Sequence, residues 1–335
     1  MRQLGKKHRT PYHVKLRRQM RVLYYVCDTN VPSWGIGMIY THVRLLRANG
    51  IDAAVLHSQP GFRPGWMGFD APRLYRRDPA FRIGPDDLLV VPEVHAAEPD
   101  ALNLTRRRIV FVQASSYIAP GLGNAKDYCE LGYRGAIAIM PHVREVVERH
   151  YGMEAPVIPP CVAPYFFADG SKQAVARKRQ VVLCPKAGCR DFPIVRQMLH
   201  SRARALGWRV VELKDKPHRY VARIFRQAAI HVNVNCQESF NATVPEAMAA
   251  GCIPVCYEAF GGKDYLRDGE NACVSPTHHS YPLVERTLEL MTSWDAKERE
   301  LARIRRGGQA TARRYTEALT EKALVSYYRP LSAER

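Results

Sequence analysis

Apolar residues along this chain fall into short runs separated by stretches with helical spacing. The first run, residues 21–27, contains Val22, Leu23, Tyr24, Tyr25 and Val26 and ends in the polar Asp28, Thr29 and Asn30. That pattern predicts a buried strand. A glycine-bearing turn is expected at 32–37, followed by a helix carrying Ile39, Val43 and Leu46 on one face and closed by Asn49 and Gly50. Strands are expected again at 53–56, 88–91, 109–112 and 136–139, with helices near 99–104 and 141–150. Short apolar strands alternating with helices predict a parallel, doubly wound sheet.

The pattern breaks at 157–164, where three prolines cluster, and at the polar stretch 169–173. A second alternating series then begins, with strands at 180–184, 209–213, 230–234, 253–256 and 272–274. Helices near 194–205, 220–227 and 244–250 separate the first four of these, and residues 281–328 read as helical. Two α/β domains follow, 21–165 and 166–314, after a basic segment 1–20 and before a terminal segment 315–335.

Composition narrows the class. Apolar residues make up 46% and charged residues 24% of 335, which are values of a globular chain. No apolar run approaches the roughly 18 residues of a membrane span, and the N-terminus lacks a secretory apolar stretch, so a cytoplasmic location is expected. Cys27, Cys184, Cys252, Cys256 and Cys273 sit in strand-like runs without the two-residue gap of paired zinc ligands, and are expected as small buried hydrophobes. Asn103 and Asn241 begin glycosylation sequons that a cytoplasmic chain leaves unmodified. The net charge of +18 calls for an acidic partner. Eight Lys and Arg residues and no acid lie between Met1 and Arg21. They suit peripheral contact with an anionic membrane surface, on the inner face, or simply a solvated tail. Nucleic acid would also answer the charge, but no nucleic-acid-binding fingerprint accompanies it.

The chemistry concentrates between Gln237 and Pro254. Glu238 and Glu246 are separated by seven residues; Phe240, Asn241, Ala242 and Thr243 lie between them, and Glu246-Ala-Met-Ala-Ala-Gly251 follows. Glu238 falls in the loop after a strand, where open α/β sheets bind ligands. Glu246 falls in the first turns of the next helix, whose leading backbone amides suit a phosphate. An acid at that place can accept hydrogen bonds from vicinal hydroxyls.

This stretch resembles the Glu-x7-Glu motif of family-4 retaining glycosyltransferases, the glycosyl transferases group 1. The resemblance implies an α/β GT-B fold, two facing Rossmann-like doubly wound domains with a C-terminal helix crossing back. It also implies that Glu238 meets the donor sugar near the reacting carbon and that Glu246 holds the nucleotide ribose. Lys186 and Arg190 stand near the family's Arg and Lys, which grip the donor diphosphate, with the order reversed and a shorter gap. Two cations there stabilise the departing charge electrostatically. Phe260-Gly261-Gly262-Lys263-Asp264 is similar to the family's Gly-Gly loop and its acid, which implies donor contacts for Gly261, Gly262 and Asp264. Gly35 and Gly37 match the glycine loop after the first strand, which packs against the donor phosphates. The family His after strand 109–112 is replaced by Gln113, and His95 after strand 88–92 is a second candidate on the acceptor side. Residues 157–162 are similar to the family's interdomain strand, and 315–328 to its crossing helix.

The reading is a glycosyltransferase, hexosyltransferase-like and metal-independent, moving a sugar from a nucleotide-diphosphate donor to an acceptor hydroxyl. The acceptor is a glycan, a glycolipid or a small molecule, which places the chain in polysaccharide or glycolipid biosynthesis. Retention is implied by the resemblance alone. No cofactor beyond the nucleotide sugar substrate is expected. A nucleotide-sugar epimerase on the same scaffold, a non-catalytic binding protein of that fold and a nucleic-acid binder stand as alternatives.

Overall fold

The computed structural model describes residues 20–167, 177–185 and 189–333. The basic tail 1–19 and Lys186 lie outside the described residues.

The first domain is a six-stranded sheet in the order β3-β2-β1-β4-β5-β6, with every pairing parallel. Its strands are β1 (Val22–Tyr25), β2 (Ala53–His57), β3 (Arg73–Tyr75), β4 (Leu88–Pro92), β5 (Arg108–Val112) and β6 (Ala136–Ala138). All but β3 are buried along their whole length, because helices cover both faces of the sheet. These helices are α1 (Trp34–Ala48), α2 (Pro99–Leu102), α3 (Ile118–Leu122) and α4 (Pro141–Tyr151).

One sequence expectation changes here. Trp34, Gly35, Ile36 and Gly37 form the first turn of α1 and not a separate glycine turn. Ser33 starts the helix early: its side-chain oxygen accepts the Ile36 amide at 3.4 Å and satisfies one of the orphan donors of the first turn.

The second domain is a five-stranded parallel sheet, β11-β10-β9-β7-β8. Its strands are β7 (Lys178–Leu183), β8 (Arg209–Glu212), β9 (Ala228–Asn233), β10 (Ile253–Tyr257) and β11 (Cys273–Ser275). Around it lie α5 (Phe192–Ala203), α6 (His218–Phe225), α7 (Thr243–Ala250), α8 (Ser280–Thr292) and α9 (Glu298–Ala312). The last helix, α10 (Glu317–Ala333), leaves this domain and packs on α1 of the first. Tyr328 there donates to or accepts from Tyr24 at 2.9 Å in the core, and Tyr24 reaches His42 at 3.1 Å. Arg44 donates to Glu317 at 2.7 Å, and the Val162 amide donates to the Tyr315 carbonyl at 2.8 Å.

Of the five cysteines expected in the core, Cys252, Cys256 and Cys273 are buried, whereas Cys27 and Cys184 are half-buried.

Strand order sets where ligands fit. Chain direction around each sheet reverses between β1 and β4 in the first domain and between β7 and β9 in the second. Crevices open at such switch points, outside the carboxyl ends of the strands. The carboxyl edges of the two sheets face each other: the Ser115 amide after β5 donates to Ser239 Oγ after β9 at 3.2 Å.

Gly251 ends α7 at φ +81°, and a Cβ added there would lie 2.3 Å from Arg177 Nη2. That guanidinium is tied to the carbonyls of Phe225, Ala228 and Ala250 and cannot withdraw cheaply. Gly251→Ala is expected to cost about 2 kcal/mol and lower the thermal midpoint by roughly 4 °C. Gly37→Ala, inside α1 with open space at the Cβ, is expected to gain about 0.5 kcal/mol by helix propensity. Paired thermal melts check both signs.

Candidate active site between the sheet edges

The second-domain wall is built by the loop after β9. Asn233, at the end of the strand, exchanges side-chain hydrogen bonds with Asn241 at 3.1 and 2.9 Å and donates to Thr243 Oγ1 at 2.9 Å. This buried lattice holds Asn241 at φ +53°, a conformation Asn tolerates better than most residues. The side chains of Asn241 and Thr243 are therefore turned inward, so any donor contact at 241–243 falls to the backbone. Phe240 is also buried. It packs against Trp34 of the first domain at 5.3 Å between ring centres and against Tyr315 at 5.0 Å.

Glu238 is half-buried at the mouth of this loop. Gly261 explains how the loop is held there. A Cβ on Gly261 would sit 2.1 Å from the Glu238 carbonyl oxygen and 2.5 Å from Ser239 backbone atoms. The close approach that needs glycine is thus to the Glu238 backbone. Gly262 faces Leu266 in the same way, its Cβ position lying 2.2 Å from Cδ1.

Glu246 lies in the first turn of α7 and is buried, its Oε1 accepting a hydrogen bond from His218 Nε2 at 2.8 Å. His218 Nδ1 in turn meets the Tyr165 hydroxyl at 2.7 Å. Arg190, just before α5, is exposed, with its Nε 3.8 Å from Asp191 Oδ1. Asp191 Oδ2 also accepts from His278 Nδ1 at 3.1 Å. His278 Nε2 lies 3.5 Å from Cys236 Sγ, so one chain of contacts ties the loops after β7, β9 and β11 together.

Across the cleft, Gln113 donates to the Gly35 carbonyl at 3.3 Å, and its Oε1 occupies the place a Gly35 Cβ would take, 2.2 Å away. Gly35 and Gln113 are therefore one feature, whereas a Cβ added at Gly37, in the same turn, would meet nothing within 4 Å. Asp264 does not stand apart as a ligand-facing acid. Its Oδ2 accepts from His142 Nδ1 of α4 at 2.7 Å, an ion-pair geometry that bridges the two domains. His95 turns to Glu98, with Nδ1 2.5 Å from Oε1, and Glu98 also accepts from the Tyr25 hydroxyl at 2.8 Å.

Three residues of this site, Glu93, His142 and His218, went unnoticed in the sequence. Glu93 follows β4 and is buried. Its Oε1 accepts the Ala114 amide at 2.7 Å, whereas Oε2 is buried without a partner. Burial pushes this carboxyl up to about 7, against the opposing pull of the backbone amides at Gln113 and Ala114. Nothing in the pattern around Pro92-Glu93-Val94 marks an acid as buried. Its only signal is its place at the carboxyl end of a strand beside the switch point.

Residues 172–293 match the family described as glycosyl transferases group 1. Solved structures resemble the whole chain. A glycosyltransferase from Rickettsia africae is 10% identical with a TM-score of 0.67, covering 95% of this chain and 100% of that one. The sucrose-phosphate synthase of Thermosynechococcus elongatus is 12% identical with a TM-score of 0.67, covering 94% and 100%. Anabaena HepE in complex with UDP-glucose is 14% identical with a TM-score of 0.65, covering 93% and 100%. This chain has the GT-B fold. No curated protein matches it by sequence. In this GT-B chain the matched stretch holds Arg190, Glu238, Glu246, Gly261, Gly262 and Asp264, whereas Gly35, His95 and Gln113 lie outside it. Among the described residues no group of three or more His, Cys, Asp or Glu side chains could hold a metal ion, and no helix is long and apolar enough to cross a membrane.

The Glu93 carboxyl titrates higher in the folded chain, about 7, than its ordinary 4.5. The folded state therefore binds the extra proton, and stability is lost as pH rises from 4.5 through 7. Glu93→Gln mimics the protonated form. The variant is expected to match the wild type near pH 5 and to exceed it near pH 8 by about 2–3 kcal/mol. Denaturant midpoints at both pH values check the sign.

Proposed function

We propose that this chain transfers a glycosyl group from a nucleotide-diphosphate sugar to an acceptor hydroxyl, with retention of configuration. The observation that carries this reading is the placing of Glu238 and Glu246 at the carboxyl edge of the second sheet, facing the Gly35–Gln113 edge of the first. In this reading the donor lies over the switch point between β7 and β9, and its nucleotide extends toward Glu246, which accepts from the ribose hydroxyls. Glu238 meets the sugar at the mouth of the cleft. Arg190, together with Lys186, draws off the negative charge that builds on the diphosphate as the glycosidic bond breaks. The departing phosphate takes the acceptor's proton on the same face, so Gln113 at the acceptor edge needs only to orient a hydroxyl.

The similarity to a protein solved with UDP-glucose supports a nucleotide sugar as the donor. The local match to glycosyl transferases group 1 supports group transfer over simple binding. With the basic segment 1–21, the reading extends to a peripheral place at an anionic membrane surface, where glycolipid or polysaccharide acceptors are made.

A panel of UDP-, GDP- and ADP-sugars in a thermal-shift assay tests the donor first, because a ligand bound only by the folded state raises the melting point. Glu246→Ala is expected to weaken the Kd of the binding donor by about tenfold or more. Glu238→Ala is expected to reduce kcat by about 100-fold with a smaller change in Kd. A wild type that binds no member of the panel, or variants with unchanged constants, would refute the assignment.

A further inference from the structure

The carboxylate of Glu246 is buried and held by another side chain. His218 opens α6, and its Nε2 lies 2.8 Å from Glu246 Oε1 while Nδ1 lies 2.7 Å from the Tyr165 hydroxyl. The ring is clamped as well as bonded: Phe166 packs against it at 4.7 Å and Tyr165 meets it edge-on at 5.6 Å. Arg219 stacks over the Tyr165 ring, 4.6 Å from its centre. Three segments, the interdomain linker, α6 and α7, thus converge on one imidazole.

We propose that His218 is a positioning residue of the donor site: as an imidazolium held by Tyr165 it fixes the Glu246 carboxylate, and donor affinity falls when it loses its proton. This inference rests on the donor reading above and adds to it a residue and a pH dependence.

The geometry explains the direction. Oε1 is taken by His218, which leaves Oε2 to accept from a sugar hydroxyl and removes the rotational freedom that a lone carboxylate would lose on binding. Protonated, the His218–Glu246 pair is neutral beside a dianionic diphosphate. Deprotonated, it carries a net negative charge at the same place, which repels the donor. Tyr165 tolerates both states, because its oxygen can accept from the Nδ1–H or its hydroxyl can donate to a bare Nδ1.

The surroundings of the imidazole favour its protonated form. Burial pulls His218 down, but the charge of Glu246 and the hydrogen bond to it outweigh burial and hold it above the ordinary 6.5. The other groups around the pair leave the transition to His218. Tyr165 and Cys161 on the linker are pushed up to about 12, and burial pushes Cys184 at the end of β7 well above the usual thiol range. Arg219 lies over the Tyr165 ring, and Glu317 of α10 is paired with Arg44. Among the described residues around this pair, His218 is the imidazole whose proton Glu246 helps to hold.

A nucleotide-diphosphate sugar is a clean probe, since both of its phosphates are esterified and neither titrates near neutral pH. UDP-glucose, GDP-mannose and ADP-glucose serve as the probes, with Kd measured by calorimetry between about pH 6 and pH 9. The wild type is expected to bind its donor about fivefold more weakly at the alkaline end, at the low end of typical site–site couplings. His218→Gln keeps an N–H for Glu246 without the charge, and is expected to bind with the wild type's alkaline affinity at every pH. His218→Ala is expected to bind more weakly than either. A ligand-free readout accompanies these: imidazole NMR should show the His218 signal titrating above 6.5 in the wild type and moving lower in Glu246→Gln. A wild type that binds none of the three sugars would sink the donor reading itself. Binding by the wild type without the pH slope, a slope that survives in His218→Gln, or a His218 titration indifferent to Glu246→Gln would overturn the role of His218 alone.

Discussion

Everything in this molecule depends on the return of its last helix to the first domain. Two parallel sheets have no reason of their own to present their carboxyl edges to one another. Here α10 leaves the second domain, lays Tyr328 against Tyr24 in the first core and pairs Glu317 with Arg44 on α1. Thr320 adds a hydrogen bond to the Pro159 carbonyl of the linker at 2.8 Å. The chain is therefore fastened twice between its domains, once through residues 157–164 and once through α10. That double connection holds the loops after β1, β4 and β5 opposite those after β7, β9 and β10. The site exists only because of this register.

Within that frame the electrostatics are arranged by burial more than by exposed charge. Two of the acids buried at the cleft, Glu93 and Glu246, are treated in opposite ways. Glu93 is left with one oxygen unmatched and holds its proton to about 7. Glu246 is given a hydrogen-bonding partner, His218, at 2.8 Å. The large positive charge of the chain plays little part in either case. It resides on exposed arginines and on the segment 1–19, outside the described residues.

The alternating strands and helices were legible because both sheets are parallel and covered on two faces, which forces unbroken apolar runs such as 22–25, 88–92 and 253–257. The strand β3 escaped because Arg73-Leu-Tyr75 is half-buried at an edge and shows no run. The start of α1 escaped because two glycines read as a turn, whereas the cap at Ser33 decides the matter locally. The candidate acids at 238 and 246 were legible from spacing joined to the helix and glycine stop behind them. What those acids touch was not. His218, which meets Glu246, comes from another element, as do His142 beside Asp264 and Glu93 beneath the Ala114 amide, and no interval along the chain brings them near the motif. The glycines at 261 and 262 were legible as places of close approach, but the partner is the protein's own backbone at 238–239 and the Leu266 side chain.

Phe240 stands between the two acids of the motif, yet its ring touches Trp34 in one domain and Tyr315 at the root of α10. The joint of the molecule and the loop after β9 therefore share an aromatic side chain. Parting the domains would require separating Trp34 from that ring, two residues along the chain from Glu238. One aromatic ring is thus shared by the packing between the domains and the loop that carries both candidate acids.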